Sequence, residues 1–349
     1  MLPRRVRTPY NLSFYINYKH TRGGLVPDTA EPGIVRRVPF KYTQRILFHH
    51  QSIAMDAQQT RQGIFFALAA YLIWGIAPVY FKLIQQVPAD EILTHRVIWS
   101  FFFILLLISL NRNWPQVRAA CQNRKRLLIL AITALLIGGN WLLYIWAVNN
   151  HHMLEASLGY FINPLVNVLL GMLFFGERFR RMQWLAVALA FLGVLIQLWQ
   201  FGSLPIIGLG LAFSFACYGL LRKKIGIDAQ TGMLIETLWL LPAAAVYLLL
   251  IADSPTSQLS ANPWSLNLLL MATGIVTTVP LLFFTAAANR LRLSTLGFFQ
   301  YLAPTLVFLL AVTFYSETVG QDKLVTFGFI WAALVLFTLE ALYTQRKRS

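Results

Sequence analysis

Residues 155–177 read EASLGYFINPLVNVLLGMLFFGE, and residues 295–317 read TLGFFQYLAPTLVFLLAVTFYSE. At a shift of 140, Ala147, Asn149, Pro164, Leu169, Leu170, Phe174 and Glu177 fall on Ala287, Asn289, Pro304, Leu309, Leu310, Phe314 and Glu317. The same span stands twice: a short polar lead, a proline in mid-run, an aromatic end, then Glu. Each run has the roughly 20 residues that a helix needs to cross a hydrocarbon core of about 30 Å. A weaker match, at a shift of 144, sets Trp74-Gly75 against Tyr218-Gly219.

The rest of the chain has the same character. It has 349 residues, 57% of them hydrophobic and 12% charged, with 10 Trp and 26 Phe. Soluble domains are usually about 45–50% apolar and about 25% charged, so a water-facing globular fold is excluded. Extensive disorder needs low hydrophobicity and is excluded too. Two cysteines, Cys121 and Cys217, do not make a disulfide scaffold. Ten apolar runs stand out: 63–84, 92–110, 127–147, 155–175, 182–200, 203–221, 232–252, 266–287, 294–315 and 324–343. They are continuous and too long for the alternating strands of a β-barrel. The fifth and sixth are parted only by a tight turn near 200–202. The expected fold is an all-α integral membrane protein with ten transmembrane helices in two inverted five-helix repeats. These occupy residues 61–202 and 203–343, between a basic tail at 1–60 and a short basic tail at 344–349.

Lys and Arg set the orientation. Loop 111–126 carries Arg112, Arg118, Arg124, Lys125 and Arg126. Loop 176–181 carries Arg178, Arg180 and Arg181. Arg222, Lys223 and Lys224 follow, then Arg290 and Arg292, then Arg346, Lys347 and Arg348. The intervening loops hold only Lys323. Every second loop is basic, which predicts an even number of spans with both termini cytoplasmic. The net charge of +16 is thereby a topology signal and a partner for lipid headgroups. No basic stripe with interleaved aromatics points to nucleic acid. Segment 1–54 is basic, rich in proline and without the apolar core of a secretory signal. It reads as a cytoplasmic tail with little stable structure before residue 60, or as the product of a start placed upstream of Met55-Asp56.

A repeat of five helices is odd, so the second copy enters the membrane from the opposite side. Inverted-topology repeats are a signature of secondary transporters, whose substrate site lies near the midplane between the halves. Four stretches carry a family resemblance: Ala70-Tyr71-Leu72-Ile73-Trp74-Gly75, Leu93-Thr94-His95-Arg96, Gly139-Asn140-Trp141 and Glu155-Ala156-Ser157-Leu158-Gly159-Tyr160-Phe161-Ile162-Asn163-Pro164. Over about residues 60–343 the chain resembles the EamA-type group of the drug/metabolite transporter superfamily, and within it the RarD-type permeases. The resemblance implies a ten-helix permease of the bacterial inner (plasma) membrane that exports small organic solutes, with chloramphenicol resistance as the family's phenotype. Segment 1–54 departs from that pattern.

Charged groups at bilayer depth cost about 2.5–3.5 kcal/mol on insertion scales and normally face a cavity or a partner. Trp74, Pro78 and Lys82 are spaced by four and share a helical face. Lys82 either snorkels at the span end or counters an anionic substrate or a buried carboxylate. His95 and Arg96 open the second span, with Trp99 one turn after His95. Arg96 either pairs with Asp90 or Glu91 or lines the substrate site. His95 titrates near neutrality by type and is a proton-coupling candidate. In the fourth span Gly159, Asn163 and Asn167 share a face, with Glu155 and Tyr160 beside them. Pro164 frees a carbonyl near residue 160, and Gln300 with Pro304 repeats the device in the ninth span. Asn163 and Asn167 either line a cavity or join helices. Glu236, with Trp239 and Pro242 beyond it, is either a proton carrier or a partner of Arg222, Lys223 or Lys224. Asn140 with Tyr144, and Ser214 with Tyr218, are spaced by four and add possible ligand contacts. Gly208, Ala212 and Ala216 suit close helix approach.

The expected substrate-binding set is therefore Trp74, Lys82, His95, Arg96, Asn140, Tyr144, Tyr160, Asn163, Asn167, Tyr218 and Gln300. The proton-coupling candidates are His95, Glu155 and Glu236, and the helix breaks are Pro78, Pro164 and Pro304. No metal or other cofactor is expected, since the neighbouring imidazoles His151 and His152 point apart. No Walker, zincin or nucleophile-elbow motif is present, which argues against direct ATP drive and against an enzyme. A channel would need a continuous polar stripe, and a membrane enzyme or receptor a cluster of functional groups at one depth. The expected partners are a small-molecule substrate and the lipid bilayer. Sequence leaves the substrate, the direction of transport and the oligomeric state open.

Overall fold

The computed structural model describes the backbone of residues 5–7, 13–15, 18–21, 24–27, 40–313 and 321–348, and the side chains of 58–147, 150–152, 155–310, 312–313, 324–340 and 343. Phe314 and Glu317 of the repeat lie outside the described residues, as do the side chains of Asn149 and the tail 344–349. Contacts divide the chain into two units, Met1–Asp56 and Ala57–Ser349. In the first, β1 (Arg5–Arg7) pairs antiparallel with β2 (Ser13–Tyr15), and β3 (Tyr18–Thr21) with β4 (Gly24–Pro27). Helix α1 (Phe40–Lys82) also begins there.

The second unit is helical. After α1 come α2 (Ala89–Leu110), α3 (Trp114–Cys121), α4 (Arg124–Asn149), α5 (Met153–Phe175), α6 (Arg181–Phe201) and α7 (Ile206–Ile225). Then come α8 (Ala229–Val246), prolonged as a π-turn over Tyr247–Ile251, α9 (Trp264–Ala288), α10 (Leu293–Phe299), α11 (Leu302–Thr313) and α12 (Gln321–Arg348). Among the described residues nine spans are long and apolar enough to cross a membrane, and Leu324–Glu340 of α12 is a shorter apolar helix. Side chains such as Leu135, Leu173, Trp199, Leu249 and Trp264 stay exposed on the outside. An apolar surface of this extent belongs against lipid rather than water.

Local chemistry sets the ends. The Asn123 side chain accepts from the Arg126 amide at 3.1 Å and caps α4. Asp228 accepts from the amides of Gln230 and Thr231 and caps α8. The turn expected near 200–202 is present: α6 ends at Phe201, and Gly202 takes φ +75°, where any side chain would be strained. The basic loop 111–126 contains the short helix α3, which the sequence did not suggest.

Prolines act unequally. α1 runs unbroken through Pro78 and α5 through Pro164, so these two expected breaks are corrected: the helix carries on around each ring. The ninth span does break, into α10 and α11. Pro304 has no N–H for the Gln300 carbonyl, which instead accepts from Ala303 at 3.3 Å, while Gln300 and Tyr301 tighten to i−3 bonds.

α5 and α7 cross closely. A Cβ on Gly208 would stand 2.7 Å from the Glu155 carbonyl oxygen, and one on Gly159 would stand 2.9 Å from the Gly208 carbonyl oxygen. Ala212 and Ala216 continue the small face, both buried, as close packing in lipid requires. α2 packs on α8 and α9, α4 on α7 and α8, α5 on α10, and α6 on α12.

Candidate functional site

Four helices converge on Arg96 of α2. Its Nε donates to Thr277 Oγ1 of α9 at 2.9 Å. Its guanidinium lies 4.7 Å from the Trp141 ring centroid of α4 and 5.6 Å from that of Phe81 of α1. Both are within cation–π range, worth about 0.5–2 kcal/mol each. The phenols of Tyr80, Tyr144 and Tyr160 lie within its electrostatic reach, and Tyr144 meets Tyr160 edge to face at 6.1 Å. Arg96 forms no ion pair among the described residues. Asp90 instead takes the Tyr247 hydroxyl and Glu91 the Thr256 hydroxyl, so the alternative of an Arg96–acid pair is corrected. Arg96 is half-buried, and neither terminal nitrogen is a sealed, unpartnered atom. Among the described residues the other four N–H donors of the fork meet no hydrogen-bond acceptor. Tyr160, beside it, keeps 51% of its surface open.

A second charged cluster surrounds Glu236 of α8, which is 2% exposed. Thr133 of α4 donates to its Oε1 at 2.6 Å, Tyr218 of α7 donates to its Oε2 at 3.3 Å, and Arg222 Nε stands 3.6 Å from Oε1. Arg222 is itself 1% exposed, and its Nη2 donates to the Ala229 carbonyl at 3.3 Å. Arg222 is therefore not a loop residue of the basic rim, as its position in a Lys/Arg run suggested. Its chain folds inward to meet a carboxylate that would otherwise be buried alone. Gly232 makes this possible, because a Cβ there would stand 1.6 Å from Arg222 Nη1.

The two clusters are related. Arg96 and Glu236 are 140 residues apart, as are Trp99 and Trp239. Each charge is held by a threonine from the corresponding helix, α9 for Arg96 and α4 for Glu236. Thr277 lies one turn beyond Thr273, the counterpart of Thr133. Trp74 and Tyr218, matched at a shift of 144, both reach the same pair of rings. Trp74 lies 6.0 Å from Phe215 and 5.9 Å from Phe284, and Tyr218 lies 6.1 Å from each.

The other expected residues are dispersed. Asn163 and Asn167 are 3% and 2% exposed. Asn163 donates to the Ala212 carbonyl at 2.7 Å, and Asn167 donates to Asn163 Oδ1 at 2.7 Å and to Gln300 Oε1 at 2.9 Å. They tie α5 to α7 and to the break before α11. Asn140 donates to Ser214 Oγ and the Leu211 carbonyl, joining α4 to α7. Glu155 accepts from the Ile207 amide at 2.7 Å and stands 3.4 Å from His152. His95 is buried, accepts from Trp99 at its Nδ1, and has an unpartnered Nε2. Lys82 sits exposed in the last turn of α1. Glu177, the repeated acid, caps α10 by accepting from the Leu293 and Ser294 amides. Sequence reasoning missed Tyr80, Phe81, Trp141 and Thr277 as site residues. Trp141, three residues before Tyr144 on one helical face, carried a usable signal. Thr277, 181 residues from Arg96, carried none.

Three comparisons bear on this arrangement. Residues 61–199 match the model of the EamA-like transporter family. Protein RarD of Salmonella typhimurium is 73% identical over 294 residues, covering 84% of this chain and 100% of that protein. Protein RarD of Escherichia coli (strain K12) is 72% identical over 295 residues, with the same coverage. A chloramphenicol-sensitive protein RarD of Pseudomonas aeruginosa is 34% identical over 292 residues, 82% of this chain and 97% of that protein. A solved crystal structure shares the fold with a TM-score of 0.62 at 20% identity, over 80% of this chain and 98% of the other.

Proposed function

This chain belongs to the EamA-like transporter family and to its RarD group, and we propose that it is a secondary transporter exporting small organic solutes by alternating access. It is a multi-pass protein of the bacterial inner membrane, and its family names point to a permease rather than an enzyme. Two inverted five-helix halves, 61–202 and 203–343, form the moving parts in this reading. The basic loops and both termini then face the cytoplasm.

The observation that carries the reading is the pair Arg96 and Glu236. Each occupies the same place in the second helix of its half, and each is bonded to the third helix of the other half. A duplicated and flipped module produces such an exchange of contacts. α2 on α8, α5 on α10 and α6 on α12 pair each helix with its own counterpart, which further supports a two-fold axis in the membrane plane. On this reading the aromatic set Trp74, Phe215, Tyr218 and Phe284 lies between the halves as a plug. Arg96, Trp141, Tyr144 and Tyr160 line the vestibule where substrate sits.

Proton coupling is assigned to Glu236, which exchanges partners between Arg222, Tyr218 and Thr133 as its charge changes. His95 and Glu155 are the weaker carriers, because Trp99 and the Ile207 amide already occupy them. Chloramphenicol, from the printed name of the P. aeruginosa relative, is one test solute. Flux in proteoliposomes under an imposed pH gradient tests the coupling: gradient-dependent flux that becomes indifferent in Glu236→Gln supports it, and wild-type indifference removes it. Comparing the small molecules in medium from cells with and without the gene tests export. Solutes that accumulate outside only when the gene is present support it, and identical media contradict it.

A further inference from the structure

We infer that the solute is an organic anion: a planar carboxylate carried on a flat apolar body, gripped by Arg96. This rests on the transporter reading above and names the substrate class of the same site. The inference comes from an asymmetry between the two matched charges. Glu236 has a counter-ion in Arg222, and both are sealed from solvent. Arg96, its counterpart, has among the described residues the neutral hydroxyl of Thr277, on Nε, as its hydrogen-bond partner. The place on α1 that matches Arg222, at a shift of 144, is Pro78, which brings no charge. A guanidinium within a membrane-spanning helix is costly without an anion, and no side chain among the described residues supplies one.

The geometry states what fits. With Nε bonded to Thr277 and the guanidinium carbon 4.7 Å from the Trp141 ring centroid and 5.6 Å from that of Phe81, the guanidinium is restrained by all three residues. The Nη1 and Nη2 donors then present a fixed fork, which matches the two coplanar oxygens of a carboxylate. The phenols of Tyr144 and Tyr160 stand near that charge and are bonded to each other, which leaves one hydroxyl of the pair to donate to the same oxygens, while the Tyr80 hydroxyl donates to the Leu269 carbonyl. Trp141 and the Tyr144–Tyr160 pair provide flat apolar walls, which an aromatic or similarly flat ligand body covers. A free inorganic anion would leave those walls empty. An organic cation would meet like charge at Arg96. The step is binding and release only, so no bond is made or broken.

The test uses the full chain reconstituted in proteoliposomes and counterflow of two acids and their primary amides: benzoate against benzamide, and indole-3-acetate against indole-3-acetamide. The acid in each pair is expected to bind about tenfold or more tightly than its amide, as a charge-assisted bidentate pair allows. Arg96→Gln is expected to bring the acid-to-amide ratio close to one. Arg96→Lys is expected to restore the preference only in part, since an ammonium lacks the fork. Equal handling of acids and amides by the wild type, or an unchanged acid preference in Arg96→Gln, overturns the inference. Because the wild-type ratio decides by itself, a poorly folded variant does not blunt the test. If chloramphenicol or the amides exchange and the acids do not, the anion class is wrong and the transporter reading stands. If incorporated, folded protein exchanges none of these solutes or chloramphenicol, both fall together.

Discussion

Arg222 and Glu236 form a buried ion pair whose geometry depends on a glycine. Gly232→Ala places a methyl group on Arg222 Nη1, so the guanidinium must leave and Glu236 loses its counter-charge. Breaking a buried pair costs about 3–5 kcal/mol, and thermal unfolding of the detergent-solubilised protein should show a clear drop in midpoint. Glu236→Gln should destabilise for the converse reason, leaving Arg222 buried alone. Replacing both, as Arg222→Met with Glu236→Leu, should recover most of the loss, because two apolar groups need no partners. A double variant no more stable than Glu236→Gln would contradict the pair as the cause. At this scale the sequence was partly readable. Glu236 stood out because an acid within an apolar run is conspicuous, and Arg222 was named as one of three possible partners. Which of Arg222, Lys223 and Lys224 turns inward was not readable. That choice depends on the small residue at 232, ten positions on and in another helix.

Helices in this chain were legible, and their joints much less so. Nearly every apolar run lies within a few residues of an observed helix, because about 20 apolar residues in lipid have few other ways to satisfy their backbone. The prolines illustrate the limit. Pro164 and Pro304 are matched in sequence, yet α5 continues and the ninth span divides. α5 crosses α7 at Gly159 and Gly208 with backbone almost touching, a contact that the ninth span's matching segment is not shown to make. Pro304→Ala should restore a backbone donor for Gln300 and favour a continuous helix by about 3 kcal/mol. The expected result is a stable protein with slowed solute exchange, because Gln300 would swing from Asn167. Exchange at the wild-type rate would mean that the break has no role in transport. Gly159→Leu should be severe, since its side chain would be driven into the α7 backbone. Loss of folded protein on expression and size-exclusion chromatography would show it, whereas a normal monodisperse yield would contradict the tight crossing.

Over the whole molecule, matched residues recur in the sequence at a 140-residue offset, and the same offset relates the two charged centres on α2 and α8. The candidate site was only half legible: Arg96, Tyr144 and Tyr160 were named as candidates and lie near one another, whereas Asn163, Asn167 and Asn140 hydrogen-bond across helices. Polar residues in lipid-facing helices look alike in sequence whether they touch a solute or a neighbouring carbonyl, and only packing separates the two uses. The central claim is that one vestibule opens in turn to each side of the membrane. It is tested most directly by a single cysteine at Tyr160, in a background with Cys121 and Cys217 replaced by serine, probed with a membrane-impermeant maleimide in right-side-out and inside-out vesicles. The account predicts labelling from either face, with the balance shifted by transported solute. Labelling from one face only under every condition, or from both faces alike whatever solute is present, would contradict it.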